Sequence, residues 1–93
     1  MHERILQRFR DRSRGLDYVV TLHAEEEMDE EGLSVFDLET AVLTGEIVER
    51  QRDRQTREWK YVVSGRGLDG ATVGVVGKLS PTGRLVIITV YRE

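Results

Sequence analysis

The chain has 93 residues, enough for one domain and too few for a second core. Its 39% apolar and 33% charged residues describe a chain that folds, and the absence of cysteine excludes disulfides, thiol nucleophiles and cysteine-ligated metals. The net charge of -3 conceals segregation: residues 1–14 carry five arginines against Glu3 and Asp11, residues 23–46 carry nine acids and no Lys or Arg, and the remainder beyond them is net basic.

Ile5, Leu6 and Phe9 recur at helical spacing among arginines before Gly15, which predicts a short amphipathic helix lying on the domain rather than inside it. After the brief β-branched Tyr18-Val19-Val20, Thr21 is placed to cap an acidic helix that carries Leu22, Ala24 and Met28 and stops at Gly32. Ser34-Val35-Phe36-Asp37 has the form of a capping box, and Val35, Leu38 and Val42 mark a third helix ending at Gly45. From there the apolar period changes to two, predicting strands over roughly 46–52, 57–64, 71–79 and 84–91, with turns at 65–70 and 80–83. Helices followed by consecutive strands give an α+β domain, its helices on one face of a three- to four-stranded antiparallel sheet. No stretch approaches the ~18 apolar residues of a membrane span, and Met1-His2-Glu3-Arg4 opens on charge, so a cytoplasmic protein is expected.

A four-residue loop at 80–83 would set Leu79 opposite Arg84 and Lys78 opposite Leu85. One face would then hold Val73, Val75, Gly77 and Leu79 with Val86, Ile88 and Val90, covering the helices. The other would hold Thr72, Gly74, Val76 and Lys78 with Leu85, Ile87, Thr89 and Tyr91, and is the candidate working surface. With Trp59, Tyr61 and Val63 turned to the helices, Lys60, Val62 and Ser64 join that surface, while Arg57 and Arg84 lie near one basic end.

His23 opens the acidic helix, where the helix dipole favours a neutral imidazole and hence a base; an ordinary surface histidine is the simpler reading. His23 with Glu26 or Glu27 has the spacing of two metal ligands on one helix face, but no further ligands follow at a recognisable spacing, so no metal is expected. Lys60 and Lys78, flanked by Arg57 and Arg84, suit phosphates, although exposed lysines also keep strands from pairing at their edges. Thr89 and Tyr91 suit a nucleotide, the hydroxyl for a phosphate and the ring for a base, or simply complete an amphipathic strand. Gly65-Arg66-Gly67 lacks the strand-to-helix setting of a phosphate loop.

Four stretches are distinctive together: His23-Ala24 with Met28 before Glu31-Gly32-Leu33-Ser34; Leu43-Thr44-Gly45-Glu46-Ile47; Glu58-Trp59-Lys60-Tyr61; and Val86-Ile87-Ile88-Thr89-Val90-Tyr91. Over roughly residues 4–92 the chain resembles a family of small bacterial domains of unknown function, often encoded beside a zinc-finger antitoxin and similar in fold to RelE/ParE-like and MqsR-like toxins. The resemblance implies a toxin of a toxin-antitoxin pair, a metal-independent endoribonuclease without cofactor, whose partners are RNA, a cognate antitoxin and, in a homodimer, a second copy. It also implies catalytic roles for His23, Lys60, Lys78 and Tyr91; beside them Arg57, Arg84 and Thr89, read above as phosphate contacts, would lie on the RNA. Glu27 and Glu31 depart from the pattern, since many relatives resemble His-Ala-x-x-Arg-Met followed by Arg-Gly-Ile. That reversal of charge, with the acidic overall balance, is expected of a second kind of protein, a non-catalytic interaction module that keeps the toxin fold and binds a partner protein.

Overall fold

In the computed structural model, which describes residues 2–93, the chain forms α1 (Glu3–Arg14), β1 (Tyr18–Val20), α2 (Leu22–Glu31), α3 (Val35–Thr44), β2 (Glu46–Arg52), β3 (Trp59–Arg66), β4 (Thr72–Leu79) and β5 (Leu85–Arg92). Local chemistry explains the helix ends. Thr21 Oγ1 accepts the Ala24 amide at 3.2 Å to begin α2, and Gly32, at φ +68°, ends it in the left-handed conformation that a glycine adopts without strain. The capping box predicted at Ser34 and Asp37 is present and begins α3.

Asp37 does more than cap. One oxygen accepts the Ser34 amide at 2.8 Å and the other accepts the Leu68 amide at 2.8 Å, tying the start of α3 to the β3–β4 loop. The amides of Ser34 and Leu68 hold its carboxyl below the ordinary value of 3.8. A depressed acid stabilises the fold fully above its unfolded pKa, and that contribution is lost as pH falls through the lower native value. Asp37→Asn is therefore expected to lower stability near pH 7 and to flatten the loss of stability below pH 3.8, as read by urea unfolding across that range.

The sheet order is β1-β5-β4-β3-β2. The last four strands form the antiparallel meander that the sequence predicts. The expected count of three to four antiparallel strands is corrected: β1 adds a fifth, parallel to β5, with Tyr18 opposite Leu85 and Val20 opposite Ile87. Three residues carry too little periodicity to announce a strand, and their partner lies at the far end of the sequence.

The final hairpin also departs from expectation. Its loop is tighter: the Ser80 amide donates to Arg84 O, and Gly83, at φ +86°, takes the left-handed position, so Leu79 faces Leu85 and Lys78 faces Val86. A bulge then leaves Ile88 without a partner between the pairs Val76/Thr89 and Gly77/Ile87. Together these shifts put Leu85 and Ile87, rather than Val86 and Ile88, in the core, where both are fully buried beside Val90.

Helices cover one face of the sheet. At Gly65 an added Cβ would lie 2.0 Å from Ala41 O, so α3 and β3 meet backbone to backbone there. The first helix enters further than its charge suggested: Phe9 is fully buried, edge-on to Tyr61 with centroids 6.0 Å apart. Beside it, Arg10 donates to the carbonyls of Val42 at 3.2 Å and Gly45 at 2.9 Å, satisfying the end of α3 where the helix dipole favours a cation.

Candidate functional site

The sheet face turned from the helices carries Lys60, Val62 and Ser64 of β3, Thr72, Gly74, Val76 and Lys78 of β4, and Val86, Thr89 and Tyr91 of β5. Tyr61 and Val63 point to the core, as expected, and Trp59 follows them but lies beyond the helices at 37% exposure. Tyr91 faces Gly74, and a Cβ there would lie 2.2 Å from its Cζ, so the ring crosses bare backbone. Burial, with the carboxylates of Glu93 and Glu49, raises the Tyr91 pKa, so the phenol stays protonated and is a hydrogen-bond donor at neutral pH.

His23 lies beside the edge of β5. Beyond Val20 the edge of β5 is no longer covered by β1, and α2 runs alongside it: Thr21 Oγ1 donates to Ile88 O at 3.3 Å, and Glu27 Oε1 accepts the Val90 amide at 3.3 Å. Between those anchors His23 projects from the first turn of α2, 66% exposed, with Nε2 3.3 Å from the same Glu27 oxygen. Glu27 thus fixes the helix to the strand edge and faces the imidazole. The i, i+4 spacing of His23 and Glu27 was the available signal for the pair; the strand amide behind it was not visible without the fold.

The structure divides the predicted cations. Arg57, Lys60, Lys78 and Arg84 share one end of the meander, set by the β2–β3 and β4–β5 loops. Lys78 Nζ lies 3.4 Å from Glu58 Oε2, a carboxylate oxygen shut off from solvent whose only counterpart among the described residues is that ammonium. Arg84 Nε lies 3.4 Å from Asp17 Oδ1, on the helix side of the β4–β5 loop, away from the open face. Arg57 sits in the β2–β3 loop at φ +61° and is exposed. Lys78 and Tyr91 are not neighbours: Lys78 is four positions along β4 from Gly74, the partner of Tyr91, or about 13 Å of strand. Thr89 lies between them, opposite Val76.

The open face therefore carries Lys60, Lys78, Thr89 and Tyr91, the last of them apart from the lysines, with His23 beside the edge of β5, and leaves Arg57 and Arg84 on loops. The counter-ions Glu58 and Asp17 were missed, because ion pairs between distant segments have no spacing to read. Chemically the arrangement offers an oriented imidazole, two ammoniums, a hydroxyl and a phenol. Among the described residues, no three His, Asp or Glu side chains converge on a metal-binding geometry, and no helix is long and apolar enough to cross a membrane.

No curated protein and no solved structure matches the chain. Residues 20–92, from the last residue of β1 to the end of β5, match a family described as Domain of unknown function (DUF4258), and with most of its length inside that match the chain belongs to the DUF4258 family.

Proposed function

We propose that this domain is a metal-independent endoribonuclease of RelE/ParE-like architecture, the cytoplasmic toxin of a bacterial toxin-antitoxin pair. The observation that carries the reading is His23, oriented by a Glu27 carboxylate that is itself held by the β5 backbone, beside a face bearing lysines and an aromatic hydroxyl. A base with a second group behind it is the arrangement that general-base chemistry needs. Helices packed on one face of an antiparallel meander agree with the toxin-like architecture.

In the proposed reaction, neutral His23 takes the proton of a ribose 2'-hydroxyl. The 2'-oxygen bonds to the adjacent phosphorus, the bond from phosphorus to the 5'-oxygen breaks, and that oxygen takes a proton from the imidazolium or from water. The products are a 2',3'-cyclic phosphate and a 5'-hydroxyl end. Glu27 stabilises the imidazolium, while Lys78, exchanging Glu58 for phosphate, and Lys60 offset the charge that gathers on phosphorus. Tyr91 stacks on or orients a flanking nucleotide, and Thr89 holds a phosphate oxygen.

Incubation of purified protein with single-stranded RNA in the presence of a chelator tests this reading. New 5'-hydroxyl ends are the expected result, and intact RNA would overturn it. The pairing of Lys78 with Glu58 and of Arg84 with Asp17 favours a second reading, because cations already neutralised contribute little to holding phosphate. In that reading the domain is a non-catalytic module for a partner protein, and a soluble complex that leaves RNA uncut would support it.

A further inference from the structure

Four arginines without carboxylate partners gather away from the open face, on the β2–β3 hairpin. Arg50 and Arg52 point to the helix side of β2, and both guanidiniums lie over the Trp59 ring, at 3.9 and 4.8 Å from its centroid. Arg52 also donates to Arg57 O at 3.0 Å, and Arg54 and Arg57 project from the connecting loop. All four arginines are exposed, and among the described residues none has a carboxylate within ion-pair distance. The acids of the hairpin are committed elsewhere. Asp53 accepts the amides of Gln55 at 2.9 Å and Thr56 at 3.0 Å, Glu58 faces Lys78, and Glu49 accepts from Gln51.

We propose that this hairpin is a binding arm for single-stranded RNA, with Arg50, Arg52, Arg54 and Arg57 on the phosphates and Trp59 beside the bases. The proposal rests on RNA being the partner and names a second place where the strand is held. Three observations favour a nucleic acid over an acidic protein segment. All four cations of the cluster are arginines, whose planar fork matches phosphate oxygens. Two of the guanidiniums are held in place by an aromatic ring, so less freedom is lost when they bind. That ring keeps 37% of its surface exposed where a base can reach it. The acidic α2 lies across the sheet along the opposite edge, beside β5.

Trp59 is the only tryptophan of the chain, so its fluorescence reports on this hairpin alone. The probe is a 2'-O-methyl oligouridylate, which has no free 2'-hydroxyl and stays uncut. Titration is expected to change Trp59 emission, with an affinity that falls with salt at a log-log slope of about -2.8 for four phosphate contacts at ~0.7 each. Arg50→Gln with Arg52→Gln should reduce that slope by about 1.4, and the loop variant Arg54→Gln, which touches no packed residue, by about 0.7. Unchanged Trp59 emission on binding, unchanged slopes in both variants, or equal binding of oligoglutamate would each overturn the arm. Cleavage of ordinary RNA separates the two proposals: an arm that fails while cleavage persists leaves the nuclease intact, and binding at Trp59 without cleavage removes the nuclease alone.

Discussion

His23→Gln is expected to lower the rate of the proposed RNA cleavage about 10²- to 10⁴-fold, the usual contribution of a positioned general base, and to leave stability unchanged. Stability is spared because the side chain is 66% exposed and its one close contact is Glu27, which keeps the Val90 amide in the variant. Glutamine retains a polar head of similar reach and cannot take a proton, so the comparison isolates proton transfer. Glu27→Gln is the companion variant. Its amide oxygen still accepts from Val90, so α2 stays docked, but the charge facing an imidazolium is gone and the rate falls by a smaller factor. Single-turnover cleavage of a labelled oligonucleotide, with thermal unfolding of each variant beside it, checks both. A rate unchanged in His23→Gln would take the imidazole out of the mechanism.

Phe9→Ala is expected to destabilise the fold by about 3–5 kcal/mol, the range for truncating a buried phenylalanine. For a domain of this size, with a total stability of about 5–15 kcal/mol, that is a large fraction of the whole. Phe9 is fully buried, meets Tyr61 edge to face at 88°, and lies so close to β4 that a Cβ on Gly77 would come within 3.2 Å of its ring. No neighbour fills such a space without moving the sheet. Urea unfolding should show a lower midpoint at an unchanged slope, and a loss below about 1 kcal/mol would mean that the core closes over the gap. Phe9 lies outside the family match at residues 20–92. A fragment limited to those residues lacks this ring and the Arg10 cap on α3, so it is expected to unfold more easily than the full chain.

What could be read from the sequence was whatever one segment decides by itself. Thr21, Gly32 and the Ser34/Asp37 box fixed helix ends because their hydrogen bonds span three or four residues. The period-two pattern from Glu46 onward gave four strands to within two residues. Joining segments was harder. Tyr18-Val19-Val20 is a strand only because Leu85, Val86 and Ile87 stand beside it. The tighter turn put Leu85 and Ile87 on the buried face in place of Val86 and Ile88, and the unpaired Ile88 returned Thr89, Val90 and Tyr91 to their expected faces, since alternation carries any slip along the strand. Among the site residues, Lys60, Lys78, Thr89 and Tyr91 were placed on the correct face. The sequence spacing of Lys78 and Arg84 said nothing about Glu58 and Asp17, which neutralise them. The arginines over Trp59 went unread for the converse reason: in a strand-forming run they look like solubilising charge, and only the register of β2 against β3 sets them on the ring.

The anchoring of α2 to β5 has a consequence for the order of assembly. Glu27 meets the Val90 amide across 63 positions of sequence, and Thr21 meets Ile88 across 67. Contacts of such span raise contact order, and their loop-closure entropy is lost before any local gain returns it, so they form late in folding. On the ribosome, His23 and Glu27 emerge long before the strand that holds them. The α3 cap and the β2–β3 hairpin are complete by then, but the imidazole has no backbone behind its carboxylate. The nascent chain therefore carries its charged hairpin before α2 is anchored, and docking of β5 sets the Val90 amide behind Glu27.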